Sequence, residues 1–209
     1  MPTGQRYGGR TAEERRAERR ERLLDAALEL FGTRGYAATS IEALCAATRL
    51  NPRYFYESFA TREALLQAVY DRHMAYLAET VRAALLDAPS DPRGFCQVGL
   101  RAFVETQLAD TRNARITYLE IVGVSLELER HRRAVLRGFA TLVEQEADRL
   151  AAAGELPVRD HHLTAIALGG AVDGLLTDSF TSDDPPSTDA IVAALVDLFV
   201  AAFTAPVAD

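Results

Sequence analysis

The breakers of this chain stand at helix-length intervals, and almost nowhere between them do apolar and polar residues alternate with a period of two. That pattern points to a core made of helices and argues against a sheet. Thr11 opens a first helix with Glu14 three residues on, in capping-box spacing. Its apolar stripe (Leu23, Leu24, Ala27, Leu30, Phe31) follows one helix face, and Gly35 is a natural left-handed stop. Thr39 is expected to cap a short second helix, with Glu42 again three on. Asn51 and Pro52 are expected to start a third, because Asn is a favoured N-cap and Pro fits the first helical position. Thr61 is expected to cap a fourth that runs to about Ala88, ahead of Pro89 and Pro92. Five further helices are read at 92–110, 112–121, 125–153, 160–180 and 188–204. The expected fold is all-α, with about nine helices.

Composition bears mainly on partners. The chain carries a net charge of −7, which by itself argues against nucleic acid. The distribution of that charge points the other way. Residues 1–63 hold eleven arginines against nine acids, whereas residues 64–209 hold twelve against twenty-one. Every basic residue is arginine, so each can make a bidentate contact. The start, MPTGQRYGGR, has no apolar stretch, so no secretory signal peptide is expected. The apolar runs 163–176 and 191–203 are each interrupted by an acid and fall short of the ~20 residues that span a bilayer. A cytoplasmic protein with no membrane partner is expected. Cys45 and Cys96 lie in apolar helical patterns and are read as small packed thiols.

The most informative stretch is TSIEALCAATRLNPRYFYESF, residues 39–59. A short capped helix, a turn of about four residues and a second capped helix make a helix-turn-helix. Its second helix can enter a major groove only if the first braces it from behind. Ile41, Leu44, Leu50, Phe55 and Phe59 supply an apolar brace, which leaves Asn51, Arg53, Tyr54 and Tyr56 facing outward. Two tyrosines and an arginine exposed on two helical turns favour DNA binding over a purely structural reading.

The segments LFGTRGYAATSIEALCAAT (30–48), RYFYESF (53–59) and TREALLQAV (61–69) resemble the DNA-binding head of TetR-type transcriptional regulators. The resemblance covers about 45 residues and dissolves beyond them. It implies a three-helix head in residues 1–63, a fourth helix linking it to the body, and a ligand-binding and dimerisation body in residues 64–209. It also implies that Tyr56 touches phosphate, that Phe59 locks the third helix, and that Arg62 meets phosphate from the start of the fourth. Thr39 and Ser40 fall where the second helix's N-terminus faces phosphate, and Arg53 and Tyr54 at base-reading positions. One departure is the turn, where Thr48 and Arg49 stand in place of the family's Ala-Gly. A positive φ at Arg49 costs on the order of 1 kcal/mol that glycine would avoid, and Arg49 itself is a candidate DNA contact. Arg6 and Arg10 precede the first helix and are candidates for phosphate or minor-groove contact.

The last two helices are apolar on every side, which requires burial on every side. A twofold four-helix interface is therefore expected, centred on Leu168, Gly169, Val172 and Leu176 of one helix and Leu195 and Phe199 of the other. It would set two recognition helices about 34 Å apart, one turn of a palindromic operator. Phe95, Phe103, Gln107, Tyr118, Phe139 and Asp173 are the candidates for lining a cavity for a small molecule of unknown identity. Asp173 interrupts an apolar run and so needs a partner, whether an arginine, a hydroxyl across the dimer or a ligand group.

Catalysis is not expected. His73, His131, His161 and His162 have no partners at metal or triad spacing, and no nucleotide fingerprint or nucleophile elbow occurs. No metal site and no cofactor is read. The expected function is a ligand-responsive transcriptional regulator, a repressor that leaves its operator when a small molecule binds. Two alternatives stay open: a helical homodimer that acts as a protein-interaction module, and a DNA-binding regulator without a ligand.

Overall fold

A computed structural model describes residues 11–205. Among these residues the chain forms nine α-helices in the order α1 (Ala12–Arg34), α2 (Ile41–Thr48), α3 (Pro52–Ser58), α4 (Arg62–Leu85), α5 (Pro92–Leu108), α6 (Thr111–Arg115), α7 (Leu126–Ala152), α8 (His162–Thr181) and α9 (Thr188–Thr204), with a π-helical turn at Ile116–Glu120. No strand occurs among them, so the all-α expectation holds.

The helix starts follow from short polar side chains. The Thr11 hydroxyl accepts from the Glu14 N–H at 3.1 Å, and the Glu14 carboxylate accepts from the Thr11 N–H at 2.6 Å, completing the capping box. Asn51 accepts from the Arg53 N–H at 2.9 Å, Thr61 from Ala64 at 3.0 Å, and Asp91 from Gly94 at 2.8 Å. Two expectations need correction. Ser40, rather than Thr39, caps α2, accepting from the Ala43 N–H at 3.2 Å. The stretch read as one helix at 112–121 is instead one α turn followed by the π turn.

The chain divides into two compact units. The first comprises Met1–His73 and Thr111–Val124, the second Met74–Asp110 and Ser125–Asp209. The chain therefore passes from one to the other three times, once within α4. In the first unit, α1 packs against α2, α3, α6 and the π turn. Its core of Leu23, Phe31, Leu44, Phe55, Leu65, Leu66 and Ile116 is at most 1% exposed. Segment 111–124 seats tightly on the end of α1. A Cβ added to Gly32 would lie 2.4 Å from the Arg112 Cβ, so only glycine admits that crossing. Arg112 pairs with Glu29 at 2.8 Å, and the Arg115 guanidinium donates to the Thr33 carbonyl at 3.2 Å.

In the second unit, α5 packs on α9, α7 on α8, and α8 on α9. Arg93–Asp197 and Arg101–Asp189 ion pairs, at 2.7 and 2.8 Å, tie α5 to α9. α8 is long and apolar enough to cross a membrane by length and composition, although its core sequence run is shorter, yet it packs on α7 and α9. Only 28% of its most apolar stretch is buried, which leaves an apolar face uncovered. Cys45 and Cys96 are free thiols, and burial pushes the Cys96 thiol up to about 11.

Candidate nucleic-acid interface

The turn between α2 and α3 is built on Arg49, the only non-glycine residue with a positive φ among the described residues (φ 53°, ψ 37°). Its N–H donates to the Ala46 carbonyl at 3.2 Å, and the next N–H, of Leu50, donates to Cys45 at 3.0 Å. This is a Schellman-type end in which an arginine occupies the place glycine usually takes. The Arg22 guanidinium, from α1, donates to the Thr48 carbonyl and closes the turn from behind. The Arg49 side chain is left exposed.

α3 is held by its inner face. Phe55 is fully buried and Phe59 is 5% exposed. The Phe59 N–H donates to the Phe55 carbonyl at 2.8 Å, which ends the helix at the locking residue. Burying one such aromatic contributes ~1.5–3 kcal/mol. The outer face then presents Asn51, Arg53, Tyr54 and Tyr56, all exposed. Tyr56 is the more exposed of the two tyrosines, at 57%, while Tyr54 lies under the Arg19 guanidinium, 4.5 Å from its ring centroid.

Two candidates sit differently from the sequence reading. Thr39 is 1% exposed, and its hydroxyl donates to the Gly35 carbonyl at 2.8 Å. It fastens the end of α1 and offers nothing to a phosphate; Ser40, beside it, is exposed. Arg62 is half-buried. Its guanidinium donates to the Thr39 carbonyl and lies 4.2 Å over the Tyr36 ring. Arg6 and Arg10 lie outside the described residues.

Several residues of this unit escape a sequence reading. Arg16, Arg19, Arg20 and Arg22 look like one charged, glutamate-interleaved helix face, yet they reach α2 and α3. Arg16 donates to the Glu57 carbonyl at 2.7 Å, and Arg20 lies 4.8 Å over the Phe59 ring. Glu120, 84 residues from its partner, accepts from the Tyr36 N–H at 2.7 Å and from Arg115 Nε at 2.8 Å. The chain bends there through Gly35 (φ 94°), and a Cβ on that glycine would come within 3.2 Å of the Glu120 carboxylate. The recurrence of arginine at 16, 19 and 22 was a usable signal for the first group. Nothing local announces the second.

Among the ligand candidates, Phe95, Phe103, Gln107, Phe139 and Asp173 belong to the second unit, while Tyr118 is buried in the first. Phe95, Phe103 and Phe139 are half-buried, and the last two meet edge to face with centroids 5.6 Å apart. Asp173 finds an arginine, the first of its three expected partner types. Arg132 Nη1 stands 3.4 Å away and Arg132 Nε is also 3.2 Å from Glu129. The dimer candidates divide unexpectedly. Leu168, Val172, Leu176, Leu195 and Phe199 are at most 8% exposed within the single chain, so they form its own core. The face left open carries Leu163, Ile166, Gly170 and Gly174 of α8 and Leu198 of α9, with Gly169 at its edge. His161 and His162 each face one α7 carboxylate, Asp148 at 3.0 Å and Glu144 at 3.1 Å. No group of three or more metal-ligating side chains forms among the described residues.

Residues 23–69 match the family of bacterial regulatory proteins of the tetR type. Over 115 residues the chain is 31% identical to the HTH-type transcriptional activator FasR of Mycolicibacterium smegmatis, covering 55% of this chain and 51% of that one. The chain spans about half the length, or less, of the curated relatives it matches. In structure it is similar to the transcriptional regulator FadR of Bacillus subtilis in complex with stearoyl-CoA, with a TM-score of 0.78 at 18% identity, covering 88% of this chain and 98% of that one. It is also similar to AibR in complex with isovaleryl coenzyme A and operator DNA, with a TM-score of 0.65 at 19% identity, covering 90% and 100%.

Proposed function

We propose that the chain, whose residues 23–69 match the tetR family of bacterial regulatory proteins, is a ligand-responsive transcriptional repressor. It binds a palindromic operator as a homodimer in the cytoplasm and leaves it when a small molecule occupies the helical body. The observation that carries this reading is the outward face of α3. Asn51, Arg53, Tyr54 and Tyr56 are exposed on a helix whose opposite face is fully buried. Ser40 and Arg49 flank it, exposed at the start and end of α2. In this reading Tyr56 and Ser40 meet phosphate, Arg53 and Tyr54 read bases, and Arg49 reaches the backbone beside the turn. Thr39 and Arg62 act from behind by holding the start of α2.

The dimer forms through the open face of α8 and α9. Gly170 and Gly174 have nothing within 4 Å of an added Cβ, so a partner helix can approach closely there. The ligand is an apolar acyl compound, and the half-buried Phe103–Phe139 pair is the wall it meets. Acyl thioesters of coenzyme A are the class to try first, because two fold neighbours carry them in their complexes.

Fluorescence anisotropy on duplexes flanking the gene, over a salt series, tests the reading. Wild type should bind a palindrome with a steep salt slope. Arg53→Ala should lose ~1–3 kcal/mol and base preference, while Tyr56→Phe should weaken all duplexes alike. Stearoyl-CoA or a shorter acyl-CoA should then release the DNA. Binding no tighter than to random duplex, for the flanking DNA and for a selected pool alike, overturns the regulator assignment.

A further inference from the structure

We propose that Glu57 is a specificity-determining positioning residue, a carboxylate that presents the Arg53 guanidinium to base edges and keeps it off the phosphate backbone. The inference rests on the DNA-binding reading above. Glu57 stands one helical turn after Arg53 on α3. Its Oε1 accepts from Arg53 Nε at 3.1 Å, while its Oε2 faces Arg19 Nη2 of α1 at 3.6 Å. Its own carbonyl accepts from Arg16 at 2.7 Å. The carboxylate is thus anchored from behind by α1 and aims one oxygen forward. Burial changes in the same direction: the Arg19 side chain is 20% exposed, Glu57 35% and Arg53 83%.

The pairing geometry is selective. Because Glu57 takes Nε, the two terminal nitrogens of Arg53 remain on the outer edge, the pair that matches O6 and N7 of a guanine. An acid on a DNA-facing helix also repels phosphate, which weakens sequence-independent binding. The Arg53–Glu57 pair, exposed and one helical turn apart, contributes little to stability, so stability does not account for that pairing, whatever the Arg19 contact adds. Restraining Arg53 does account for it. Without Glu57 the arginine is free to swing onto the nearest phosphate, gaining affinity for every duplex and losing discrimination between them.

The test uses the full-length protein and two probes: a duplex that wild type enriches from a random pool, and the unselected pool itself. Glu57→Ala should bind the pool about threefold more tightly, with a log–log salt slope steeper by about 1. Its selected-to-pool affinity ratio should fall about tenfold. In an Arg53→Gln background the same Glu57→Ala change should leave that ratio within about twofold, because there is no guanidinium left to position. Two results overturn the proposal. One is an unchanged ratio in Glu57→Ala. The other is an equal fall in the Arg53→Gln background, which would mean that Glu57 holds the whole helix on α1 rather than its arginine. If wild type itself enriches no duplex over the pool, the DNA-reading function fails as well, and the two failures are told apart by wild type alone.

Discussion

The two units use their apolar residues differently. In the first, large side chains vanish completely: Leu23, Phe31, Phe55 and Leu65 are all 0% exposed. In the second, the aromatics of α5 and α7 are only half-buried, and α8 and α9 leave Leu163 76%, Ile166 40% and Leu198 42% exposed. The first unit closes its aromatic core within one chain and exposes Leu119 and Val122 only at the segment 111–124. The second buries Leu128, Leu176 and Leu195 as fully, yet keeps apolar surface open on α8 and α9. Complete burial on the inner side of α3 and open apolar surface on α8 and α9 are thus two outcomes of one hydrophobic effect.

The sharpest test of that contrast places the same change in both units. Phe55→Ala should cost about 3–5 kcal/mol, as a closed core collapses poorly around a cavity, and DNA binding should disappear with the melted head. Phe103→Ala should cost about 1–2 kcal/mol, since a half-buried ring has less transfer energy to lose. Denaturant unfolding of both variants decides, and equal losses would break the comparison.

The exposed face of α8 comes next. Ile166→Asp buries a lone carboxylate in any dimer, and should weaken self-association by more than about tenfold. Sedimentation at falling concentration reads it, with helicity unchanged. A dimer as tight as wild type would mean that the open face is not the interface.

A smaller effect belongs to the turn. Arg49→Gly should stabilise the head by about 1 kcal/mol, because glycine adopts the left-handed conformation without strain. It should also lower DNA affinity by removing a cation. A melting curve and a binding curve moving in opposite directions would support this division of labour; a loss of stability would refute it.

The smallest effect lies at the start of α8. The Glu144 hydrogen bond, and then its charge, raise the His162 pKa above its ordinary value of 6.5. A raised folded value means the pairing contributes fully below the unfolded pKa and fades as pH rises through the folded one. Glu144→Gln should return the His162 titration towards its ordinary midpoint, followed by NMR. An unmoved midpoint would remove Glu144 as the cause.

How far the sequence was legible follows from the range of each signal. Thr11, Asn51 and Thr61 cap their helices as expected because capping depends on residues two or three apart, and those are visible in a line of text. Arg49 was legible for the same reason, as a turn geometry with the wrong residue in it. Thr39 was misplaced by one position, since either of two adjacent hydroxyls can cap and only the fold turns one inward. The open face of α8 was hidden for a deeper reason. A helix apolar all round has no phase in its pattern, so nothing in α8 says whether Leu168 or Ile166 points to its own core. The seating of 111–124 on α1 was invisible, because Gly32 and Arg112, or Tyr36 and Glu120, share no local rule.

That seating also matters while the chain is being made. Residues 23–69 leave the ribosome before 111–124, so the Gly32 groove and the Tyr36 amide have no cover until Arg112 and Glu120 follow. A nascent chain that stalls near residue 110 should therefore carry a head that is protease-sensitive at the end of α1, whereas one released past residue 124 should not. Synthesis of this chain cannot complete its first unit before the whole of 74–110 and the segment 111–124 have been translated.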